Sequence, residues 1–406
     1  MLKIKAGRVI DGTGELLKNM EILIEDQHIA RIASEIETQS NVEILDYSSC
    51  TVMPGLIDAH LHITSTGEPD LLARIRRGIP YTSLVGAAQA KKTLEAGFTA
   101  VRDAGAGFDT TIDLKRAINE GLHPGPRMVV SGQGLSVTGG HGDPANGWPD
   151  EVEFSGRRPV DSPDEARKAA RQELASGADC IKMAATGGVM SMGTDHTVRG
   201  LTEEEMRAAI EEAHNRNKRT LAHAQGTKGI KNAIRAGIDS IEHGFWLDDE
   251  AVEMMLENGV ALVPTLAAVY HIVDKGIEEG IPPHAVEKAR MGRDAHLKSF
   301  KKALDREVNI AMGTDAGTPF NFHGKNAFEL ELMVEAGMTN MQAITASTST
   351  GARILDLNAG VIKEGCLADL LIVDGNPSED VTCLQETERI KLVMVGGDIK
   401  VERSLT

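Results

Sequence analysis

Two histidines, two positions apart, are the first residues in this chain whose types and spacing could do chemistry. The segment TVMPGLIDAHLHITS, residues 51–65, reads as a buried apolar strand that ends in Asp58, His60 and His62. Side chains at positions i and i+2 of a strand point to the same face, so the two imidazoles are expected side by side. They could bind a metal ion, or they could be two histidines that share one face of a strand.

Four more polar residues stand at the ends of, or within, other short apolar runs. They are Lys182 in DCIKMAATGG, His223 in LAHAQG, His243 in IEHG and Asp315 in GTDAG. Taken singly, each histidine could be a hydrogen-bonded core residue, and the aspartate could be a turn residue or a helix N-cap. The lysine is different, because an unpaired ammonium in an apolar strand is costly and needs a partner. Together the six residues predict a metal site.

The charge of such a site gives the lysine a role. Four neutral imidazoles and one carboxylate would leave two divalent cations with too large a positive charge for a partly buried site. We therefore predict that CO₂ carboxylates Lys182, so that its carbamate is an anionic ligand long enough to bridge two metals.

Composition narrows the class of protein. The chain has 406 residues, and its 43 basic and 60 acidic residues give a net charge of −17, which argues against nucleic acid as a partner. Its four cysteines are scattered, with no Cys-x-x-Cys pair, which favours a reducing compartment. No signal peptide or membrane span is recognisable, so we expect a cytoplasmic protein.

The elements that must position these residues follow from the hydrophobic pattern. Residues 1–55 and 358–406 contain strand signals and are predicted to pair into one small β-sandwich domain, because each end alone is too small to bury a sheet. In residues 56–357, eight short apolar runs alternate with helical stretches, which predicts a (β/α)₈ TIM barrel. The rival is a doubly wound open sheet, but no G-x-G-x-x-G opens a helix. Residues 134–160 form a long Gly/Pro-rich loop, which indicates function.

The quoted residues, with VMPGLIDAHLH and GVIKEGCLADLLIVDGNP, resemble the binuclear metal branch of the amidohydrolase superfamily over essentially the whole chain. The segments IKMAATGGVMS, TGGHGD, HAQGTKGI and SIEHGFWLDDE are similar to its prolidase and imidazolonepropionase-related group. The resemblance implies that His60 and His62 bind the more buried metal with Asp315, that His223 and His243 bind the other, and that Lys182 bridges them. His141, in the glycine-rich loop, would hydrogen bond the scissile carbonyl.

The resemblance implies the hydrolysis of dipeptides or N-acyl amino acids. A hydroxide that bridges two divalent metal ions, zinc first and manganese or cobalt as alternatives, would attack the amide carbonyl. Asp315 would accept the hydroxide proton and pass it to the leaving nitrogen, while His141 would stabilise the oxyanion.

The leaving amino acid presents an α-carboxylate, for which the sequence offers several partners. The candidates are Gln225, Lys228, His196, Arg199 and Tyr270. Gln225 departs from the aromatic residue or histidine expected in many relatives. The loops after the fourth and seventh predicted barrel strands contain few acidic residues, which favours a neutral leaving residue, with proline as the first choice.

Two alternative functions stay open at this point. A mononuclear deaminase or an imidazolonepropionase-like cyclic amide hydrolase would not need Lys182, and a deaminase often has a glutamate after His223, which HAQGTKGI lacks. A non-catalytic barrel homologue could act as an assembly module, although such proteins lose metal ligands. A homo-oligomer fits the superfamily, but the sequence indicates no interface.

Overall fold

The computed structural model describes residues 1–39, 42–70, 76–146, 148–149, 151–154 and 159–405. Its strands are β1 (Leu2–Ile10), β2 (Leu16–Glu25), β3 (His28–Ala33), β4 (Glu43–Pro54), β5 (Leu56–Leu61), β6 (Phe98–Asp103), β7 (Arg127–Val130), β8 (Cys180–Ala184), β9 (Arg219–Ala224), β10 (Ser240–His243), β11 (Ala261–Val263), β12 (Leu370–Val373), β13 (Ile390–Val395) and β14 (Asp398–Glu402). Its helices are α1 (Ile79–Glu95), α2 (Thr110–Asn119), α3 (Pro163–Ser176), α4 (Glu203–His214), α5 (Thr227–Ala236), α6 (Asp249–Asn258), α7 (Leu266–Lys275), α8 (Pro283–Asp305), α9 (Phe328–Glu335), α10 (Asn340–Ala346) and α11 (Ser349–Ile354). Short 3₁₀ helices lie at Ile277–Glu279, Val381–Gln385 and Thr387–Arg389.

The two ends of the chain pair in one mixed sheet of order β14-β13-β12-β4-β1-β2-β3. β4 joins them, since it pairs in parallel with β1 and antiparallel with β12. One buried cluster covers this sheet and draws on both ends of the chain, with Ile4, Val52, Leu370 and Leu392 fully buried. Burial of this apolar surface explains why neither end would be stable as a sheet alone.

The predicted sandwich of two sheets is wrong in one respect, because the described strands of the chain ends belong to a single sheet. The sheet curls instead. Backbone hydrogen bonds join its edge strand β3 to the segment before β12, from Ile29 N to Cys366 O (2.9 Å) and from Gly365 N to Ile29 O (2.8 Å). Strand twist allows this curvature, so that one sheet can enclose an apolar core.

The apolar run of residues 52–57, which reads as one buried strand, is two strands in two sheets. β4 ends at Pro54 in the sheet of the chain ends, and β5 begins at Leu56 and pairs with β6. Gly55 lies between them, where a Cβ atom would stand 2.1 Å from the Thr99 side chain. The close approach to β6 explains the glycine at this change of sheet.

The middle of the chain alternates parallel strands with helices. The strands form two parallel sheets, β5-β6-β7 and β11-β10-β9-β8. Side chains cap several of these helices: Ser162 and Asp248 cap α3 and α6, and Thr202 forms a capping box with Glu205 at the start of α4. No described helix is long and apolar enough to cross a membrane.

Backbone hydrogen bonds connect the two parallel sheets at both edges. Leu135, after β7, bonds to β8 through Leu135 N to Lys182 O (2.8 Å) and Ala184 N to Leu135 O (2.9 Å). On the other side, Leu262 N bonds to Asn309 O (2.8 Å) and Ala59 N bonds to Met312 O (2.9 Å), so residues 309–316 lie between β11 and β5.

The segment predicted as the eighth strand makes isolated bridges rather than a regular strand. Thr314 donates its amide and its hydroxyl to the carboxylate of Asp58 (3.1 and 2.6 Å), and Asp315 has a left-handed φ of 58°. These hydrogen bonds to the Asp58 side chain and the turn at Asp315 take the place of regular strand pairing in this segment.

Candidate metal centre and active-site cavity

The six residues predicted to bind metal all line one cavity of about 1610 Å³. His60 lies in β5, Lys182 in β8 and His223 in β9, while His243 is the last residue of β10. His62 follows β5, and Asp315 lies in the irregular segment between β11 and β5. Residues that are up to 255 positions apart in sequence therefore meet because parallel strands bring their carboxyl ends to the same edge.

The ligand-type atoms are close enough to share a metal ion. One ligand atom each of His60, His243 and Asp315 lies within 4.8 Å of the other two. Asp315 Oδ1 is 3.5 Å from His60 Nε2 and 3.3 Å from His62 Nε2. The His223 ring centroid lies 4.5 Å from that of His243, which in turn lies 5.1 Å from that of His60.

In each histidine, one ring nitrogen is bonded to the protein. Nδ1 of His60 lies 2.5 Å from Glu242 Oε2, and Nδ1 of His62 lies 2.8 Å from Gly105 O. Nδ1 of His243 is 2.7 Å from the Thr265 hydroxyl, which itself donates to Pro264 O. In His223 the other ring nitrogen makes the bond: Nε2 lies 3.0 Å from Gly187 O. Each partner accepts a hydrogen bond from the ring nitrogen that it contacts. It thereby fixes the tautomer in which the other ring nitrogen carries a lone pair.

The free Nε2 atoms of His60 and His62 face the carboxylate of Asp315. Nε2 of His60 and Oδ1 of Asp315 are buried without a hydrogen-bond partner among the described residues. A lone pair on His60 Nε2 and a carboxylate oxygen 3.5 Å away repel each other unless a cation lies between them. This arrangement fits a metal ion with imidazole and carboxylate ligands.

The pKa shifts of His60, His223, His243 and Asp315 agree with neutral imidazoles around an ionised aspartate, whereas the pKa of His62 is shifted upwards. Burial lowers the pKa of His60, His223 and His243 well below its ordinary value. Burial also opposes charge at His62, but the Asp315 carboxylate raises the pKa of that ring. Burial acts to raise the pKa of Asp315, yet His62 and His60 lower it overall. Neutral imidazoles and a carboxylate are the forms that bind metal.

Three residues at this edge have a strained backbone conformation. His243, Thr265 and Asp315 have φ values of 74°, 55° and 58°, in the left-handed region that side chains other than glycine rarely adopt. Such conformations persist only where the surroundings enforce them, and they cluster at functional sites. Here they include two of the predicted ligands and the threonine that holds one of them.

Lys182 is buried, and no hydrogen-bond or ion-pair partner is present for its ammonium among the described residues. Burial lowers its pKa to about 8, while Glu242 and Asp315 act in the opposite sense. Its positive charge in turn contributes to the lowered pKa of His60 and of His243. The predicted need of this lysine for a partner is therefore not met by the described side chains.

His141 enters the cavity from the predicted loop of residues 134–160, of which residues 147, 150 and 155–158 lie outside the described residues. Its ring stacks on His223 with a centroid distance of 3.8 Å. Its Nδ1 lies 2.8 Å from Ser191 Oγ. Burial, with the charge of Lys182, lowers its pKa to about 3, so the ring is neutral at ordinary pH.

The residues predicted to bind a substrate carboxylate are not brought together. Gln225 lines the cavity and is buried. Lys228, in the first turn of α5, is exposed and does not line the cavity. Arg199, in the segment between β8 and α4, is also exposed and does not line it. His196 is buried against the Trp246 ring at 4.6 Å, and Tyr270 borders a separate cavity of about 430 Å³. Sequence position near a strand end did not reveal which way these side chains point.

Sequence reasoning missed the residues that hold the predicted ligands. Glu242 and Thr265 bond to His60 and His243, and Arg102 bonds to Glu242 at 2.9 Å. The sequence did contain a signal for this ion pair. IEHG has a glutamate beside a histidine and FTAVRD has an arginine in an apolar run, and charges that are expected to be buried need partners.

The fold and the strand-end cluster define an α/β protein with the ligand set of a metalloenzyme. The model of the amidohydrolase family matches residues 51–400, and the chain belongs to this family. It is an enzyme, a hydrolase that acts on amide bonds of small-molecule substrates. The family typically binds metals, and the cluster of His60, His243 and Asp315 is a candidate site for them.

Similar proteins point to one part of the family. The chain is 34% identical to an ochratoxinase of Aspergillus niger, with 98% of this chain and 86% of that protein covered. A crystal structure of a Xaa-Pro dipeptidase with bound methionine is 35% identical, has a TM-score of 0.92 and covers 98% of this chain and 99% of its own. A prolidase complexed with N-methylphosphonate-L-proline is 30% identical, with a TM-score of 0.91 and coverage of 99% and 100%. The resemblance to prolidase-related amidohydrolases is confirmed.

Proposed function

We propose that this enzyme hydrolyses the amide bond of dipeptides or N-acyl amino acids, with proline as the preferred leaving residue. The observation that carries the proposal is the cavity in which four histidines, Lys182 and Asp315 meet beside His141. The similarity to proteins described as a Xaa-Pro dipeptidase and a prolidase supports the preference for proline. The similarity to an ochratoxinase supports an N-acyl amino acid as the wider substrate class.

We propose two divalent metal ions, zinc first and manganese or cobalt as alternatives. His60, His62 and Asp315 would hold one, and His223 and His243 the other, with a carbamate on Lys182 between them. The free lone pairs of the imidazoles support this assignment. When bound, the metals would supply a Lewis acid for the carbonyl oxygen and would lower the pKa of the attacking water. The lowered pKa of Lys182 supports the carbamate, since CO₂ reacts with the neutral amine.

The chain's own residues would manage the protons. Asp315 is held ionised in a buried position, so it can accept a proton from the attacking water and give it to the leaving nitrogen. His141 is a neutral ring. When Ser191 donates its hydroxyl proton to Nδ1, the opposite nitrogen carries hydrogen and can donate to the developing oxyanion.

We also propose a domain division and a closed barrel. Residues 56–357 would form the (β/α)₈ barrel, with residues 309–316 as its irregular eighth strand, and residues 1–55 and 358–406 would form the small β domain. The hydrogen bonds at both edges of the two parallel sheets support closure. The similarity to the prolidase over nearly the full length of both chains supports the same architecture.

The carboxylate of the leaving residue needs donors that line the cavity. Gln225 lines the cavity, and the NH₂ group of its side-chain amide is such a donor. Among the described lining residues, Arg77 and Lys182 are the arginine and lysine side chains. We propose Gln225, with Arg77 at the same cavity, in place of the four candidates that lie outside it.

A substrate library tests this function. Zinc-loaded enzyme is assayed with Xaa-Pro dipeptides, N-acyl prolines, other N-acyl amino acids, lactones and aryl esters. Turnover of Xaa-Pro or N-acyl-Pro compounds above the others is the expected result. If only other N-acyl amino acids react, the proline preference fails and the wider class stands. Cleavage of lactones or aryl esters alone would contradict both.

A further inference from the structure

A fully buried ion pair lies directly behind the metal ligand His60. Arg102 in β6 and Glu242 in β10 are 1% and 0% exposed, and Arg102 Nη2 lies 2.9 Å from Glu242 Oε1. The same oxygen accepts from the Ser240 hydroxyl at 2.6 Å. The other oxygen of Glu242, Oε2, meets His60 Nδ1 at 2.5 Å. One carboxylate thus uses one oxygen for the ion pair and the other for the imidazole.

The arginine also fixes the backbone that carries the imidazole. Its Nε donates to the carbonyl of Ala59 at 2.6 Å, and Ala59 immediately precedes His60. Its Nη1 donates to Ser240 Oγ at 3.2 Å. The guanidinium therefore connects β5, β6 and β10 across the protein interior. Both the ring and the main chain of His60 are held by one network.

Neither residue lines the cavity. They therefore have no direct contact with substrate there, and burying two charges is weak support for stability, because a hydrophobic pair of similar volume often does as well. The geometry does have a chemical consequence at His60. A carboxylate that accepts from Nδ1–H fixes the tautomer and increases the basicity of Nε2, the atom that faces Asp315.

We propose that Glu242, held by Arg102, is a positioning residue that orients His60 and strengthens it as a metal ligand. This inference rests on the metal centre of the proposed function. A mere core ion pair would stabilise the fold without changing metal affinity. The positioning role instead predicts a specific loss at the site that contains His60.

Glu242→Gln tests the proposal, because it keeps the shape of the side chain and removes its charge. Glu212→Gln is the matched control: Glu212 is also buried and is paired with Arg167 and Arg171 on the outer helices, away from the cavity. Chelator-stripped proteins are titrated with Zn²⁺ in competition with a chromophoric chelator, without substrate. We expect Glu242→Gln to weaken one of two Zn²⁺ sites by about 10- to 100-fold and Glu212→Gln to leave both unchanged.

Thermal unfolding of the stripped proteins separates positioning from stability. A lower unfolding midpoint of Glu242→Gln with unchanged Zn²⁺ affinity would overturn the proposal. If this variant does not fold, Glu242→Asp is titrated instead; it keeps the charge but is one methylene too short for His60, and wild-type affinity there would likewise overturn the proposal. Wild-type protein that binds two Zn²⁺ but hydrolyses no dipeptide or N-acyl amino acid would contradict the proposed function and leave this inference standing.

Discussion

The two sides of the cavity are held by different kinds of structure. His60, His223 and His243 lie within strands, and each has one ring nitrogen bonded to a buried acceptor. His141 lies in a long loop, and its polar contact is to Ser191, a half-buried residue of a second loop. Three of the predicted metal ligands are thus fixed by strands, while the group expected to meet the substrate depends on the packing of two loops.

The second loop has an anchor of its own. Lys288, in α8, donates to the carbonyls of Gly188 (3.2 Å), Ser191 (2.7 Å) and Thr194. These three hydrogen bonds hold the loop of residues 188–194 in place beside His141. Loop positions are more variable than strand positions in related proteins, so the substrate side is where members of one family can differ while the metal side stays the same.

The largest effect should come from removing the metals. Dialysis of the enzyme against a strong chelator is expected to reduce hydrolysis to background, because the histidines and Asp315 alone supply no activated water. Readdition of Zn²⁺, Mn²⁺ or Co²⁺ should restore activity, measured as kcat on the best substrate of the library. Elemental analysis checks that the dialysed protein is free of metal. If such protein remains active, the proposed metal centre is wrong.

Asp315→Asn should have the next largest effect. It keeps the size of the residue but removes the proton acceptor, so kcat should fall by about 10²- to 10⁴-fold. Metal content must be measured in the same sample, since Asp315 also faces His60 and His62. Near-normal kcat with both metals retained would remove the residue from proton transfer.

His141→Leu, which removes the N–H donor, probes the loop-held side. Loss of a donor to the oxyanion is expected to lower kcat by about 10²-fold, with metal content unchanged. The contrast between strand-held histidines and the loop-held His141 predicts that the variant loses activity but keeps its metal. A loss of metal together with activity would instead mean that the loop supports the metal centre, through the stacking of His141 on His223.

Ser191→Ala should be milder. It removes one hydrogen bond to His141, worth about 1 kcal/mol, so about a fivefold fall in kcat is expected. Ser191→Thr retains the hydroxyl and should restore most of the activity. Equal losses in the two variants would indicate that the side chain matters for packing and not for the tautomer of His141.

The smallest effects should follow from Arg199→Ala and Lys228→Ala. Both side chains are exposed and do not line the cavity, so changes in KM and kcat below about twofold are expected. Gln225→Leu is the contrast within the cavity, where a higher KM is expected. A large KM effect at Arg199 would show that its loop carries it to the substrate, and one at Lys228 would show that the substrate reaches the start of α5.

Sequence by itself was enough to identify the six residues that line the cavity, because each is a polar group in or after a short apolar run. The parallel α/β pattern then requires such ends to meet at one edge. The same pattern could not show that Val52 and Ile57 belong to different sheets, since both are apolar and buried. Nor could it show that residues 309–316 are irregular, because side-chain bonds to Asp58 decide that backbone.

Only the tertiary structure showed which distant residues contact the predicted metal ligands and which candidate residues line the cavity. Glu242 reaches His60 from a strand 182 positions away, and His196 turns onto Trp246 rather than into the cavity. Periodicity assigns a residue to a face of an element, but the partner of a buried charge and the direction of a loop side chain depend on how distant segments pack. The kinds of residue that could bind metal were thus determined by the sequence, and their orientation by the fold.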